Sequence, residues 1–528
     1  MFAFAIWDER KQELLLARDR LGIKPLYYTE SNGQFAFASE LKAILQLPEV
    51  SRNINWGALN HLFTFLSTPE SDSILEGIHK LQPGHLLIAA PGHRLRIKPY
   101  WDVQFEPDSS LTEDSCKERL LELIDESVSS HLVSDVPVGA FLSGGIDSSA
   151  VVARMVRNTS TRIRTFSIGF SEGDFNELQS AQMVAKRFGT DHHELVLEPN
   201  ALDCLEDLIW YLDEPFGDSS VIPTFMVSKL AAEQVKVVLS GDGGDELFAG
   251  YDKYAVEGAE RRYGLLPNVV RRLMGVVGRS LPEGIRGRNF LQHMSLSGTD
   301  RYLDAFTLFR DQEKRKLFRK EAFEILSAHD PLQARRQYLN QANGHWLSAL
   351  QFLDLKSYLP LDILTKVDRM SMAHSLEVRV PLLDHKIVEF AATIPPELLF
   401  QGGMRKYIFK RAMAGILPQE IIDKPKQGFA IPLGKWFRGK LDNVVREILL
   451  SGEARRRGIF RPEYIERLLN LHKLGRDLDL HLWTLLSFEM WCRTFLDRRV
   501  QDAMDPSVSH LHRVMSGPVN PIGAGELA

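Results

Sequence analysis

From residue 136 to residue 240 the sequence switches repeatedly between short apolar runs and helical stretches. VPVGAFLS is followed by SSAVVARMVRN, RIRTFSIGF by NELQSAQMVAKRFG and DHHELVLE by ALDCLEDLIWYL, and the series ends on VKVVLS. Such alternation leaves few options, because strands joined by helices close into a parallel sheet with helices on both faces. In the second helical stretch Ala181, Val184, Ala185 and Phe188 recur at i, i+3, i+4 and i+7, a face for packing onto that sheet. Ligands of such sheets bind outside the carboxyl ends of the strands. The loops after VPVGAFLS and VKVVLS are therefore where chemistry is expected.

At 528 residues the chain exceeds one ordinary core. Residues 1 to about 105 read as short strands and turns (FAFAIWD, ELLLARD, PLYYTE, QFAFASE, HLLIAA, RLRIKPYW), a mainly antiparallel region. The polar stretch FEPDSSLTE leads into a helical pattern through Leu120, Leu121, Ile124 and Val128, so a boundary is expected there. Beyond residue 251 the pattern is mostly helical, and the tail from 501 to 528 has no sustained periodicity and is expected to be flexible. A hydrophobic share of 44% with 25% charged residues excludes the disordered and fibrous classes. A net charge of -5 gives no global footprint for nucleic acid or an anionic membrane, and no apolar run reaches the length of a spanning helix. No nucleic-acid or membrane partner is expected, and the cytoplasm is the default compartment. Cys116, Cys204 and Cys492 are scattered without CxxC spacing, which argues against a zinc site or a disulfide framework.

The first loop, Leu142-Ser143-Gly144-Gly145-Ile146-Asp147-Ser148-Ser149, lies between a buried strand and a helix expected to begin near Ser148. Glycines let the backbone approach a ligand, and a helix N-terminus offers free N–H groups, so the turn suits a phosphate. It lacks the GxxxxGK[ST] pattern of a Walker A loop. The second loop, Ser240-Gly241-Asp242-Gly243-Gly244-Asp245-Glu246, clusters oxygen donors that suit Mg2+, with Asp147 and Asp245 as the expected metal pair. A solvated acidic turn is the plainer reading of that loop taken alone. In IDKPKQGFAIPLGKW, Lys424 and Lys426 stand beside Gly and an aromatic residue; Lys426 is the candidate cation for charge building on a transferring phosphate, although an isolated KPK more often marks a surface.

SGGxDSS resembles the signature of the PP-loop ATP pyrophosphatases, and the combination of motifs resembles the glutamine-hydrolysing asparagine synthetases from residue 1 to about 497. Supporting blocks are ARDRLGIKPLYY (17–28), FASELKAI (37–44), DEPFGDSS (213–220), LTKVDRMSMAHSLEVRVPLLDH (364–385) and LWTLLSFEMWCRTFLD (482–497). The resemblance implies an α/β chain. Its residues 112–500 would form a doubly wound PP-loop domain with a helical C-terminal part, preceded over residues 1–108 by an incomplete antiparallel Ntn-type α+β glutaminase domain. It implies adenylation of the aspartate side-chain carboxylate by ATP, then attack by ammonia to give asparagine, AMP and pyrophosphate, in a homodimer. ATP would be held by Leu142, Ser143, Gly144, Gly145, Asp147, Ser148, Ser149, Ile168, Ser240 and Gly241, and Mg2+ by Asp147 and Asp245. Lys426 and Asp242 would be catalytic.

Two departures from the family pattern carry expectations. Some members have Glu where Asp242 stands, one methylene longer, and a shift near 1 Å matters for proton transfer. Members also begin with an exposed cysteine that attacks glutamine, whereas this chain begins Met1-Phe2. Glutamine hydrolysis is therefore expected to be absent, with free ammonia as donor, and truncation is the favoured explanation because the remaining glutaminase fold would expose strand edges and apolar surface. Arg379 could pair with a substrate carboxylate or serve as a structural ion pair, while His192 and His193 read as a strand-edge pair. A sulfur-transfer enzyme acting on RNA would need paired cysteines and a basic surface, and a non-catalytic scaffold predicts decayed loops; neither pattern is present. Another acceptor, such as a sugar acid or a cell-surface polysaccharide precursor, stays open.

Overall fold

The computed structural model describes residues 1–497 apart from 173–176, 199–203, 262, 264, 265, 282–284, 286, 297, 343, 426, 427, 429 and 430. At its centre is a five-stranded sheet in the order β10-β9-β8-β11-β12, formed by β8 (Val138–Phe141), β9 (Arg164–Phe170), β10 (Asp191–Leu197), β11 (Val237–Leu239) and β12 (Glu377–Arg379). Every pairing is parallel, as the strand-helix alternation predicts. The chain leaves β8 for β9 on one side, while β11 pairs with β8 on the other. This reversal opens a crevice between the carboxyl ends of β8 and β11. The connecting helices are α4 (Ile146–Asn158), α5 (Leu178–Phe188), α6 (Leu205–Leu212) and α7 (Val221–Ala232), with α3 (Glu113–His131) packed on α4. Thr112 caps α3 by accepting from the Ser115 amide at 3.2 Å. Helix α4 starts at Ile146, two residues before the position read from the sequence.

The amino-terminal region forms two antiparallel sheets. One has the order β1-β2-β6-β7, from β1 (Ala3–Asp8), β2 (Glu13–Arg18), β6 (His85–Ala89) and β7 (Arg96–Pro99). The other has the order β4-β3-β5, from β3 (Tyr27–Ser31), β4 (Gln34–Ala38) and β5 (Ile78–Lys80). Strand β1 lies at an edge with Phe4, Ile6 and Trp7 exposed. The reading of this region as strands and turns misses two helices, α1 (Leu41–Ile44) and α2 (Trp56–Phe65). Helix α2 is capped by Asn55, which accepts from Ala58 N at 3.1 Å, and is buried from Ala58 to Phe65. A helix buried on every side, with Asn60, His61 and Thr64 among its buried residues, shows no clean apolar stripe against a polar face, so periodicity could not reveal it.

Aromatic packing joins this region to the helical half: the Phe63 ring lies 5.3–6.0 Å from those of Phe318, Phe460, Phe309 and Phe488. A buried charge network joins it to the sheet domain. Asp213, fully buried, accepts from Leu41 N at 2.8 Å and pairs with Lys42 at 2.9 Å and Arg369 at 3.2 Å. Glu214 takes Lys80 at 2.7 Å and the Tyr27 hydroxyl at 3.0 Å, and Lys24 reaches Asp368 at 2.7 Å. No helix of the described residues is long and apolar enough to cross a membrane.

Burial pushes the Asp213 carboxyl up even though Arg369 and Lys42 pull it down, so desolvation exceeds what the cations return. Removing the charge while keeping the shape strands both cations. Asp213→Asn is therefore expected to cost about 3–5 kcal/mol in urea unfolding; an unchanged midpoint would mean that the network does not join the two regions.

Candidate active site

The two glycine-rich loops occupy the crevice and touch each other. Gly144, with φ of +72°, sits against α5, where a Cβ would lie 2.5 Å from Ser180 Cβ and 2.6 Å from Ala181 N. A Cβ on Gly241 would lie 2.5 Å from the Ser148 amide nitrogen, so only glycine lets the second loop rest on the first. Gly145 is the N-cap of α4 and brings no side chain to its amides, leaving the first turn open toward the crevice. The serines brace the first loop: Ser143 N donates to Ser148 Oγ at 3.2 Å, and Ser148 Oγ donates to Gly145 O at 3.2 Å.

Asp147, in the first turn of α4, and Asp245, in α8 (Gly244–Leu247), converge on one ammonium. Lys406 Nζ pairs with Asp147 Oδ2 and lies 2.7 Å from Asp245 Oδ1. Lys406 is 4% exposed and holds a left-handed backbone with φ of 54°, the kind of strain that tertiary contacts impose at functional sites. Ser240 Oγ donates to the Asp242 carboxylate. Next to Asp245, burial and the Asp245 charge push the Glu246 carboxyl up to about 7, against the pull of Tyr251, whose hydroxyl donates to Glu246 Oε1 at 2.6 Å.

These groups open onto a cavity of about 940 Å3. A second charged cluster stands in its wall: Lys366 Nζ lies 2.6 Å from Asp218 Oδ2, 2.7 Å from Ser220 Oγ and 3.5 Å from Asp362 Oδ1. Burial works against ionisation of Asp218, but Lys366 and Ser220 outweigh it and bring the carboxyl down to about 2; burial beside Asp218 drives Asp362 well above the carboxylate range. Arg405, Lys410 and Lys424 also line the cavity, and Lys424 is tied to Glu177 at 2.7 Å.

Of the residues predicted from sequence, Leu142, Ser143, Gly145, Asp147, Ser148, Ile168, Ser240, Gly241, Asp242 and Asp245 line this cavity. Gly144 and the fully buried Ser149 stand behind its wall. Lys426 lies outside the described residues. Arg379 donates to His131 O at 2.6 Å and to Val133 O at 2.8 Å, tying β12 to the end of α3 as a structural residue. His192 is on the edge strand β10, 3.0 Å from Glu194. Sequence reasoning missed Lys406, the raised Glu246 carboxyl and the Lys366 cluster. For Lys406 the only local signal was the Gly402-Gly403 turn before it.

Among the described residues no group of three or more His, Cys, Asp and Glu side chains is placed to hold a metal. Two carboxylates meeting at one point still fit Mg2+, which takes one or two protein carboxylates and completes its shell with water and phosphate oxygens. Glu246 supplies a pH test. Its proton is bound more tightly in the folded state, so its contribution to stability is full below pH 4.5 and is lost as pH rises through about 7. Glu246→Gln should remove that fall, worth up to about 3 kcal/mol, from melts taken between about pH 5 and 8; parallel wild-type and variant curves would refute the shift.

Comparison with known proteins agrees with this geometry. Residues 119–493 match the asparagine synthase family, and residues 1–101 match the glutamine amidotransferase domain family. The chain is 33% identical to asparagine synthetase [glutamine-hydrolyzing] 1 of Bacillus subtilis, over 97% of this chain and 79% of that protein. It is 36% identical to a putative asparagine synthetase [glutamine-hydrolyzing] of Mycobacterium tuberculosis, over 95% and 77% of the respective lengths. It is also 27% identical to amidase chry2 of Gibberella zeae, over 87% of this chain and 73% of that one. With the family match spanning the sheet, both loops and the helical half, the chain belongs to the asparagine synthase family of amide-forming ligases.

Proposed function

We propose that this chain uses ATP to adenylate the side-chain carboxylate of aspartate and then joins ammonia to it, giving asparagine, AMP and pyrophosphate. The observation that carries the reading is the interlock of the two loops at the switch point, which sets Asp147, Asp245 and Lys406 around one point in the cavity wall. Residues 1–108 and 112–500 would be the two domains. Leu142, Ser143, Gly144, Gly145, Asp147, Ser148, Ser149, Ile168, Ser240 and Gly241 would form the ATP site, with the open α4 amides facing phosphate oxygens. Asp147 and Asp245 would hold Mg2+, which when bound neutralises charge on those oxygens. Lys406, buried and fixed, would release one of its carboxylate partners to face the departing pyrophosphate, with Lys426 as the cation on the transferring phosphate.

In the first step a carboxylate oxygen attacks the α-phosphorus and pyrophosphate leaves with the bond electrons. In the second step ammonia attacks the acyl carbon, AMP departs and the nitrogen loses a proton, which Asp242, held by Ser240, would accept. Ammonia is the nitrogen donor in this reading. A second reading is the same chemistry on another carboxylate such as a sugar acid; one relative is named an amidase, so the names of the relatives do not all state one acceptor.

Incubation with Mg-ATP, aspartate and either ammonium or glutamine tests this directly. AMP, pyrophosphate and asparagine are expected with ammonium alone; no aspartate-dependent AMP from folded protein would overturn the acceptor. Lys406→Met is expected to lower AMP formation about 10²–10³-fold with an unchanged circular dichroism spectrum. Wild-type turnover in that variant would remove Lys406 from the machinery.

A further inference from the structure

Helix α10 (Asn268–Ser280) and its neighbour α11 (Arg288–Met294) pack the opposite way round from an ordinary surface pair. Val269, Val270, Leu273, Val276 and Val277 all face solvent, with Val269 76% and Leu273 63% exposed. At 100° per residue these five fall in one stripe about 120° wide. The side of α10 turned inward is made by glycine. Gly275 and Gly278 are buried, a Cβ on Gly278 would lie 3.0 Å from Gln292, and Gln292 Nε2 donates to Gly278 O at 3.0 Å. Ile285 and Phe290 add exposed apolar surface beside it. None of these residues lines the cavity.

Charge says what covers this stripe. Between Arg261 and Met294 the sequence holds seven arginines against one acidic residue, Glu283, in a chain whose net charge is -5. Arg272 and Arg279, both exposed, fall along one border of the stripe. A second copy docked symmetrically would bring arginines against arginines, and the stripe is one convex helix with no groove for a folded partner. An anionic lipid surface meets both demands, because acyl chains accept the valines and leucine while arginine stems lie along apolar surface with their heads at the phosphates. We propose that α10 is a membrane-surface element that lays its Val269–Val277 stripe into the interface of anionic phospholipid. The element lies on the bilayer and spans nothing, as no described helix could.

The test is sedimentation of the full chain with vesicles of phosphatidylglycerol mixed with phosphatidylcholine, and with phosphatidylcholine alone. Wild-type protein is expected to pellet with the anionic vesicles only, and less as salt rises. The double variants Leu273→Glu/Val276→Glu and Arg272→Glu/Arg279→Glu should each bind at least about tenfold less, with wild-type circular dichroism and melting temperature, since every substituted side chain is exposed. No pelleting with either vesicle, or equal pelleting of wild type and variants, would overturn the proposal. So would a dimer in analytical ultracentrifugation that Leu273→Glu splits, which would assign the stripe to a contact between copies.

Discussion

Asp147 and Asp245 cannot share one buried corner unless a cation stands between them. Two like unit charges about 5 Å apart repel by about 3 kcal/mol at an effective dielectric of about 20, before either pays for leaving water. Lys406 offsets that repulsion by meeting both carboxylates at once. Most of the site follows from the need to bring the three together. Strands β8 and β11 must be neighbours and parallel so that their loops emerge side by side. Gly241 must lack a side chain so that the loops can touch, and Gly244 must as well, because a Cβ there would lie 2.5 Å from Asp147 Oδ1. Lys406 must bend through a left-handed conformation to enter. The glycine pattern read along the sequence is thus the trace of a packing constraint imposed by charge.

The parallel sheet, the crevice and most of the cavity lining were legible because each rests on neighbours in sequence: a strand, a turn and a helix N-terminus within about a dozen residues. What was illegible rests on distance along the chain. Lys406 reaches Asp147 across a separation of 259 residues, and Lys366 reaches Asp218 across 148. The Gly402-Gly403 turn marks a bend before Lys406 but not that a buried carboxylate awaits its ammonium. Glu246 looked like one more acid on a polar turn, and only its burial beside Asp245 sets it apart. Helix α2 escaped for the complementary reason, since burial on all sides erases the stripe by which helices are found. The blocks 17–28, 37–44, 213–220 and 364–385 stood out as segments without revealing why they belong together. In the structure they supply three sets of polar contacts, Lys24 with Asp368, Tyr27 with Glu214, and Lys42 and Arg369 with Asp213, each joining the amino-terminal region to the sheet domain.

A second cation organises a neighbouring stretch of the cavity wall without lining it. Lys253 Nζ lies 4.4 Å from the Phe306 ring centre, 4.6 Å from Tyr251 and 4.7 Å from Tyr358, and pairs with Asp354 at 2.8 Å. An ammonium held by three ring faces and a carboxylate fixes all four partners. Two of those rings, Tyr251 and Tyr358, line the cavity, and Tyr251 carries the hydrogen bond to Glu246. The Glu246 carboxyl is thus positioned partly by a lysine that never touches it.

Lys253 belongs to α9 (Asp252–Glu260), and the same helix anchors the arginine-rich pair of helices. Glu257 pairs with Arg301 at 2.9 Å, and Glu260 lies 3.1 Å from His293 in α11, whose other ring nitrogen is 2.8 Å from Asp304. Asp304 and Glu260 raise the His293 pKa against the opposing effect of burial, so the α9–α11 contact is strongest when the imidazole is charged. One helix therefore bears the cavity wall through its first turn and the exposed stripe's support through its last. This continuity is a route for strain and is not by itself a switch, because switching requires an element with two arrangements that each end prefers differently. At the other end of this continuity α10 rests on α11 through two glycines and turns its large side chains outward.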